Sequence, residues 1–381
     1  EQSLYSIAVD SEGYIFALDT VYGKIYVYDS LCNLLNCFGG GMGSGEEVGS
    51  YQSAVAVEVT GDRILVADNK LNKLTVYNVN DYGRLVRRAQ DLTLGGNYTN
   101  AKPLWEEVLT LDRNNRMAYS GIAKAALIEK DYETAVKYAR SSLDRVTYDQ
   151  AYSHIRTTFV SNNFWWIFAI GIILLGGFVF LIIYTGKNNV QLIKNARIKT
   201  MTQSVFHPFQ SFGDIKQKNM GSLAIAASLT VLVYIVTVAC DLWGGFLFTD
   251  YDNESYNSVY VLLTTSGLIV LWSITNWAVA ALLEGKGKLK ETFIVTAYSC
   301  IPLIVERTAF LIFSQFLGYE SSALIGGVHI AALLLTAWML IIGNMVINEY
   351  SFGKFIWTAL LTVFGMILII FILLMIIILL Q

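Results

Sequence analysis

The sequence predicts a multidomain chain: a partial β-propeller, then α-helical repeats, then an all-α membrane domain of six spans. Three observations predict this order. Of 381 residues, 54% are hydrophobic and only 15% charged, against about 25% charged in soluble proteins. Most of the charge precedes residue 160, and residues 161–381 read as apolar runs broken by short polar gaps. Finally, the first 160 residues carry two internal repeats of different period, one strand-like and one helical.

The strand-like repeat fills residues 1–80. "SIAVDSEGYIFALDTVYGKIYVYD" (6–29) aligns with "AVAVEVTGDRILVADNKLNKLTVYN" (54–78). Ile7 matches Val55 at an offset of 48, while Asp19 matches Asp68 and Tyr28 matches Tyr77 at 49. Short alternating strands separated by Ser11-Glu12-Gly13 and Gly61-Asp62 turns suggest propeller blades. The two segments resemble NHL repeats. A propeller closes with about four blades or more, and two alone leave bare sheet edges, so further blades are expected upstream. Between them, "GGGMGSGEEVGSYQ" has glycine spacings like a phosphate loop but lacks a following Lys-Ser/Thr. It is read as an interblade loop. Asp19 and Asp68 are read as turn-capping carboxylates rather than ion ligands. Cys32 and Cys37 flank a turn, and their spacing leaves a bridge between them open.

Residues 81–160 change period. Tyr98, Ala101, Trp105 and Leu109 recur as Tyr132, Ala135, Ala139 and Leu143, always at 34 residues. That is a helix-turn-helix period, and the segment resembles tetratricopeptide repeats. Ala118, Tyr119, Gly121 and Ala125 sit at small or packing positions of a first helix, where small residues let paired helices approach and large ones fill the gaps. Residues 83–96 are read as the first helix of the preceding unit, and 146–160 as a capping helix leading to the membrane.

The six predicted spans are 164–184, 221–243, 259–283, 293–317, 323–347 and 355–380, each near the ~20 residues that a ~30 Å core needs. The domains follow: blades 1–80, helical repeats 81–160, first span 161–186, basic linker and interfacial helix 187–220, five-span domain 221–381. Lysine and arginine are partitioned between the gaps. Lys187, Lys194, Arg197, Lys199, Lys216 and Lys218 lie in 185–220, Lys286, Lys288 and Lys290 after the third span, and Lys354 after the fifth. The alternate gaps carry Asp250, Asp252, Glu254 and Glu320 and no Lys or Arg. By the positive-inside rule, the first set is cytoplasmic, and the N-terminal half and C-terminus are extracellular. Trp165, Trp166 and Trp243 then fall near the outer interface. Sequons begin at Asn97 and Asn253.

Within the linker, "QSVFHPFQSFGDIKQKN" (203–219) is read as a short helix on the inner leaflet. Val205, Phe206, Phe209 and Phe212 would share its apolar side, with Pro208 in its first turn and lysines toward the headgroups. The same residues resemble the Yip-type membrane family, whose lead-in places a Pro and aromatics before the first of five spans. Gly285, Gly287, Thr292-Phe293, Tyr298-Ser299 and Pro302 resemble its Gly-rich loop followed by Y-S-x-x-P. The resemblance covers 203–381. It implies a five-span bundle, and its combination with propeller and tetratricopeptide segments implies a Gram-positive accessory protein of ATP-binding-cassette (ABC) carbohydrate importers. Implied partners are the permease subunits, the substrate-binding protein and membrane lipids.

Polar groups inside spans default to a functional reading. Asn276, Glu306, Arg307, His329 and Asn344 are such groups. Glu306 and Arg307 are adjacent, and adjacent helix residues face apart, so each is expected to pair with another helix or subunit. Pro302 should break its helix nearby. Gly326, Gly327, Ala331 and Ala332 should allow close helix contact. The spans show no inverted repeat, which disfavours a transport path. His154, His207 and His329 are scattered, and no Ser/His/Asp, Cys/His, metal or nucleotide motif is readable. Neither catalysis nor a cofactor is expected. A net charge of -3 gives no bulk basic surface for nucleic acid. The expected function is a non-enzymatic membrane scaffold. The alternatives are an outward-facing carbohydrate receptor and a transport channel.

Overall fold

The computed structural model describes residues 4–43, 47, 49–188, 195–249 and 256–380. The Asn253 sequon, Asp250, Asp252, Glu254, Lys194 and the middle of the glycine loop lie outside them. The chain divides into two compact units, Glu1–Ile155 and Arg156–Gln381.

The first unit opens with two antiparallel meanders. Strands β1 (Leu4–Val9), β2 (Ile15–Asp19), β3 (Lys24–Tyr28) and β4 (Leu34–Phe38) form one sheet in chain order, and β5 (Ala54–Thr60), β6 (Arg63–Asp68) and β7 (Lys73–Asn78) the other. The sequence alignment holds in register for the second and third strands of each sheet, but the first strands are offset by two residues: Ile7, aligned with Val55, is equivalent to Val57, since Ile7 faces Ala17 and Val57 faces Val66. Asp19 pairs with Leu4 and Lys24, and Asp68 with Ala54 and Lys73. Both aspartates are buried and act as turn caps, as expected. Asp19 Oδ1 accepts from the Val21 and Tyr22 N–H groups. Asp68 uses both oxygens, accepting from Lys70 and Leu71 on Oδ1 and from Gln52 and Ser53 on Oδ2. Burial pushes the Asp68 carboxyl up, but the four N–H donors, led by Leu71, outweigh it and hold it below the usual carboxylate range. Cys32 and Cys37 are free and exposed.

Two helical hairpins follow: α1 (Asp81–Leu94) with α2 (Tyr98–Leu111), and α3 (Arg116–Ile128) with α4 (Tyr132–Ser142). Asn80, Asn115 and Asp131 cap α1, α3 and α4 through their side chains. The repeat positions Ala101, Ala135, Trp105 and Ala139 are fully buried. Gly121 is required by a close approach: a Cβ there would lie 2.2 Å from the Trp105 ring. Trp105 Nε1 donates to Thr93 Oγ1 at 2.8 Å, so the large ring is also satisfied as a donor. The hairpins are joined to the first sheet by buried polar links. Gln90 donates to Asp29 at 2.6 Å, and Arg87 lies 3.3 Å from Asp10 and stacks 4.7 Å above the Tyr14 ring.

Helix α5 (Arg145–Asn188) is a single element of 44 residues. The expected capping helix and first span are therefore continuous. In the segment read as that span, the side chains of Leu174, Leu175 and the residues beyond Gly177 lie outside the described ones. Then come α6 (Ala196–Phe206), α7 (Pro208–Lys218), α8 (Leu223–Trp243), α9 (Ser258–Leu262), α10 (Leu268–Leu282), α11 (Leu289–Ser299), α12 (Ile301–Phe313), α13 (Ser322–Asn348) and α14 (Phe352–Leu380). A π-helical turn, Leu263–Gly267, joins α9 to α10. Among the described residues, five segments are long and apolar enough to cross a membrane: Leu223–Trp243, Ser258–Leu282, Leu289–Phe313, Tyr319–Asn348 and Phe352–Ile376. The chain thus carries a multispan, membrane-type helical unit.

Two expectations need correction. The phenylalanine-rich segment 203–219 is not one amphipathic helix, because the chain breaks at His207, where Pro208 starts α7. Its aromatics divide. Phe206 and Phe209 are 80% and 59% exposed, whereas Phe212 is fully buried beside Tyr298, Val295 and Ile342 in the bundle core. Second, Gly326 and Gly327 face open space, and Ala331 is exposed while Ala332 is buried. The close approach is made elsewhere: a Cβ on Gly343 would meet Val295 at 2.1 Å, and one on Gly365 would meet Thr275 at 2.8 Å.

Candidate functional site

The gap residues gather at the two ends of the bundle as the charge count grouped them. At the lysine-bearing end, Lys216 of α7 donates to the Lys286 carbonyl and lies 3.4 Å from Glu291. Lys286 pairs with Glu349 at 2.6 Å, and Lys218 with Asp214 at 2.8 Å. At the other end, Ser314 accepts from the Gly245 N–H at 2.9 Å, and Phe248 stacks on Tyr319. Arg156, at the start of the second unit, pairs with Glu320 at that same end at 2.9 Å.

The lysine-bearing end also collects the Gly-rich loop. The Asn348 Oδ1 accepts from the Gly287 N–H at 3.1 Å, and Tyr350 Oη donates to the carbonyls of Ala280 and Leu283. Side chains are excluded at both glycines. A Cβ on Gly285 would lie 2.6 Å from Tyr350 Oη, and one on Gly287 2.6 Å from Asn348 Oδ1. Deeper in the core, Tyr298 Oη accepts from the Ser222 N–H at 3.3 Å, at the N-cap of α8. Ser299 donates to the Val295 carbonyl, and Pro302 stands in the first turn of α12, after the break at Cys300. Six of the motif positions (Phe212, Gly285, Gly287, Tyr298, Ser299 and Pro302) therefore lock the bundle end and its core, with Pro208 starting α7 and Phe209 pointing out. Lys216, Glu291, Asn348 and Tyr350 were missed by sequence reasoning. Read alone, they are ordinary gap and helix-end residues, and only the return of α13 beside the 283–288 loop brings them together.

Of the five intraspan polar residues, three converge. Glu306, 8% exposed, accepts from His329 Nδ1 at 3.1 Å, and Arg307 Nε lies 3.8 Å from the same Glu306 Oε2. The expectation that Glu306 pairs with another helix is met by α13. The expectation that Arg307 turns away from it is not: its long side chain folds back to its neighbour's carboxylate. Asn276 instead donates to Thr362 of α14 at 3.2 Å, and Asn344 to the Leu340 carbonyl of its own helix at 2.9 Å. The side-chain oxygens of Asn276 and Asn344 are buried without a partner. These residues do not form one network.

Residues 202–377 match the Yip1 domain. The match begins in α6 and ends in α14, so it takes in the Phe-Pro lead-in, the glycine loop, the Tyr298-Ser299 pair and all five candidate spans. The Yip1 match accords with a membrane-associated role for this segment. No curated protein matches the chain.

Proposed function

We propose that the chain is a non-enzymatic membrane scaffold, an accessory subunit of a carbohydrate importer of the ABC type. In this reading the sheet-and-hairpin unit, as propeller blades and tetratricopeptide repeats, lies outside the cell and contacts the substrate-binding protein or importer body. The Yip1-matching bundle packs on the permease spans. The observation that carries it is the sorting of the gaps: lysine-bearing loops meet at one end, and the Gly245, Ser314 and Glu320 turns at the other. That sorting, with the positive-inside rule, supports a cytoplasmic 185–220 linker and an external N-terminal unit. Paired helices of 34-residue period suit partner binding. A groove of about 870 Å³ beside them, lined by Tyr82, Asn115, Arg116, Ser120 and Asp144, is where a protein partner would contact the unit. The importer association rests on the family resemblance. Co-purification from native membranes tests it: permease and ATPase subunits should accompany the tagged chain, and their absence rejects the reading. Glu306→Ala should lower the yield of that complex, and an unchanged yield rejects a partner-contact role for Glu306.

One cavity favours a second reading. A partly open pocket of about 350 Å³ lies near Phe38, Tyr77 and Tyr82 with the amides of Asn36, Asn78 and Asn80. Aromatic faces with amide groups suit a sugar ring, as a carbohydrate receptor would need. Glycan binding by the purified full chain, without importer partners, would favour the receptor over the scaffold.

A further inference from the structure

A cavity of about 340 Å³ opens between α8, the α9–α10 segment, α12 and α13. Its walls are mostly aliphatic, and its polar lining comes from Arg307, His329, Thr237, Thr264 and Thr265. Three features set it apart from a packing defect. Arg307 brings five N–H donors, yet its one carboxylate contact is the 3.8 Å approach of Nε to Glu306, and its terminal amino groups have no protein partner among the described residues. His329 gives Nδ1 to Glu306, which leaves Nε2 for whatever occupies the cavity. The threonine hydroxyls spend their protons on backbone carbonyls: Thr237 on Val233, Thr264 on Tyr260 and Thr265 on Val261. Their lone pairs are left to accept.

The cavity therefore offers the Arg307 guanidinium as a cationic donor on one side, and the His329 Nε2 and hydroxyl lone pairs as acceptors on the other. The hydroxyl acceptors sit on or beside the π-helical turn Leu263–Gly267, an irregularity frequent at functional sites. A guanidinium held in a membrane span is costly without a counter-charge; Glu306 is shared with His329, and Asp241 acts on Arg307 from beyond ion-pair distance. We infer that this cavity binds the acidic, hydroxyl-bearing headgroup of a membrane amphiphile. A phosphodiester or carboxylate oxyanion meets Arg307, and neighbouring hydroxyls donate to His329 Nε2, Thr264 and Thr265. The aliphatic walls take the first methylenes of the tail. The inference is independent of the importer reading, because it uses only the geometry of the second unit.

The experiment is a lipid titration of the purified full chain in a neutral detergent, followed by thermal unfolding and native mass spectrometry. Dioleoyl phosphatidylglycerol should raise the unfolding midpoint by about 5 °C at a hundredfold excess over its dissociation constant, and a one-to-one adduct should survive into the gas phase. Phosphatidylcholine, which lacks net charge, and diacylglycerol, which lacks the oxyanion, should give neither. Arg307→Gln should weaken phosphatidylglycerol at least tenfold, and Arg307→Lys less. If Arg307→Gln does not fold, His329→Gln serves, with a smaller loss expected. Equal stabilisation by phosphatidylcholine, or a full phosphatidylglycerol shift in Arg307→Gln (in His329→Gln where Arg307→Gln does not fold), overturns the inference. So does an equal shift with inorganic phosphate alone, which would assign the oxyanion to a soluble source.

Discussion

The two units differ in how their buried charged and amide groups are closed, although each leaves some buried polar atoms unpartnered. In the first, the buried carboxylates named above are closed by N–H donors on both oxygens, Asp19 excepted, whose Oδ2 has no partner. Asp68 holds four backbone N–H groups, and Asp29 holds Leu31, Asn33 and Gln90. In the second, the Asn276 and Asn344 oxygens are buried without partners, and the half-buried Arg307 keeps most of its donors. The difference teaches where to look for function. A satisfied buried carboxylate stabilises a turn, and an unsatisfied polar group inside an apolar bundle marks a place built for something else.

The comparison can be broken by mutation, beginning with the largest effect. Asp68→Ala strips four backbone donors of their acceptor inside the second sheet. An unsatisfied buried donor costs about 1–3 kcal/mol, so a loss of about 4 kcal/mol is expected even if water reaches some of them. Hydrogen exchange over residues 54–78 reads it locally, and unchanged protection would show that the turn closes without its carboxylate. Asp19→Ala, which removes two donors' acceptor, should cost less.

Acid should act on the same unit next. Asp68 is held below the usual carboxylate range. At Asp144 burial pushes upward, but the Thr147 N–H, the Ser120 and Thr147 hydroxyls and Lys124 outweigh it and lower the carboxyl. A lowered folded value means full stabilisation above about pH 4, the unfolded value, and loss as pH falls through the folded one. Protection of residues 54–78 should decline below that point, and Asp68→Asn should flatten the decline. A decline that begins near neutrality would point to a different titrating group.

Within the bundle, Gly343→Ala forces a methyl against Val295 and should cost about 2 kcal/mol, seen as a lower unfolding midpoint in detergent. Gly326→Ala, into open space, should leave the midpoint unchanged, and the reverse ranking would refute the assigned helix contacts. The smallest effect belongs to Asn344→Leu. Removing an amide whose oxygen is unpartnered should be neutral within about 1 kcal/mol. A clear drop in midpoint would mean the amide is satisfied in the membrane by a group outside this chain.

Much of this was legible in the sequence because it is periodic or local. The offsets at Asp19/Asp68 and Trp105/Ala139 survive as strand register and helix packing, since each repeat unit must bury the same face. Span positions follow from apolar length, and the sorting of gaps from where Lys and Arg fall. The candidate site was half legible. Polar residues inside spans stand out one by one, so Glu306, Arg307 and His329 were all picked. Their grouping was not, because 23 residues separate Glu306 from His329 and no period links two antiparallel helices.

By itself, the sequence determined what local physics dictates: two repeat types, the apolar spans, the turn-capping aspartates and the opposed charge of the gaps. Only the tertiary structure decided which small residue lets helices touch, that Phe212 turns inward while Phe206 and Phe209 turn out, and that Asn348 receives Gly287. It alone decided that Arg307 borders a cavity with threonine acceptors. Those outcomes depend on contacts between segments distant in the chain. They are set by how side-chain volumes fit when helices close on one another, which neither hydropathy nor spacing encodes.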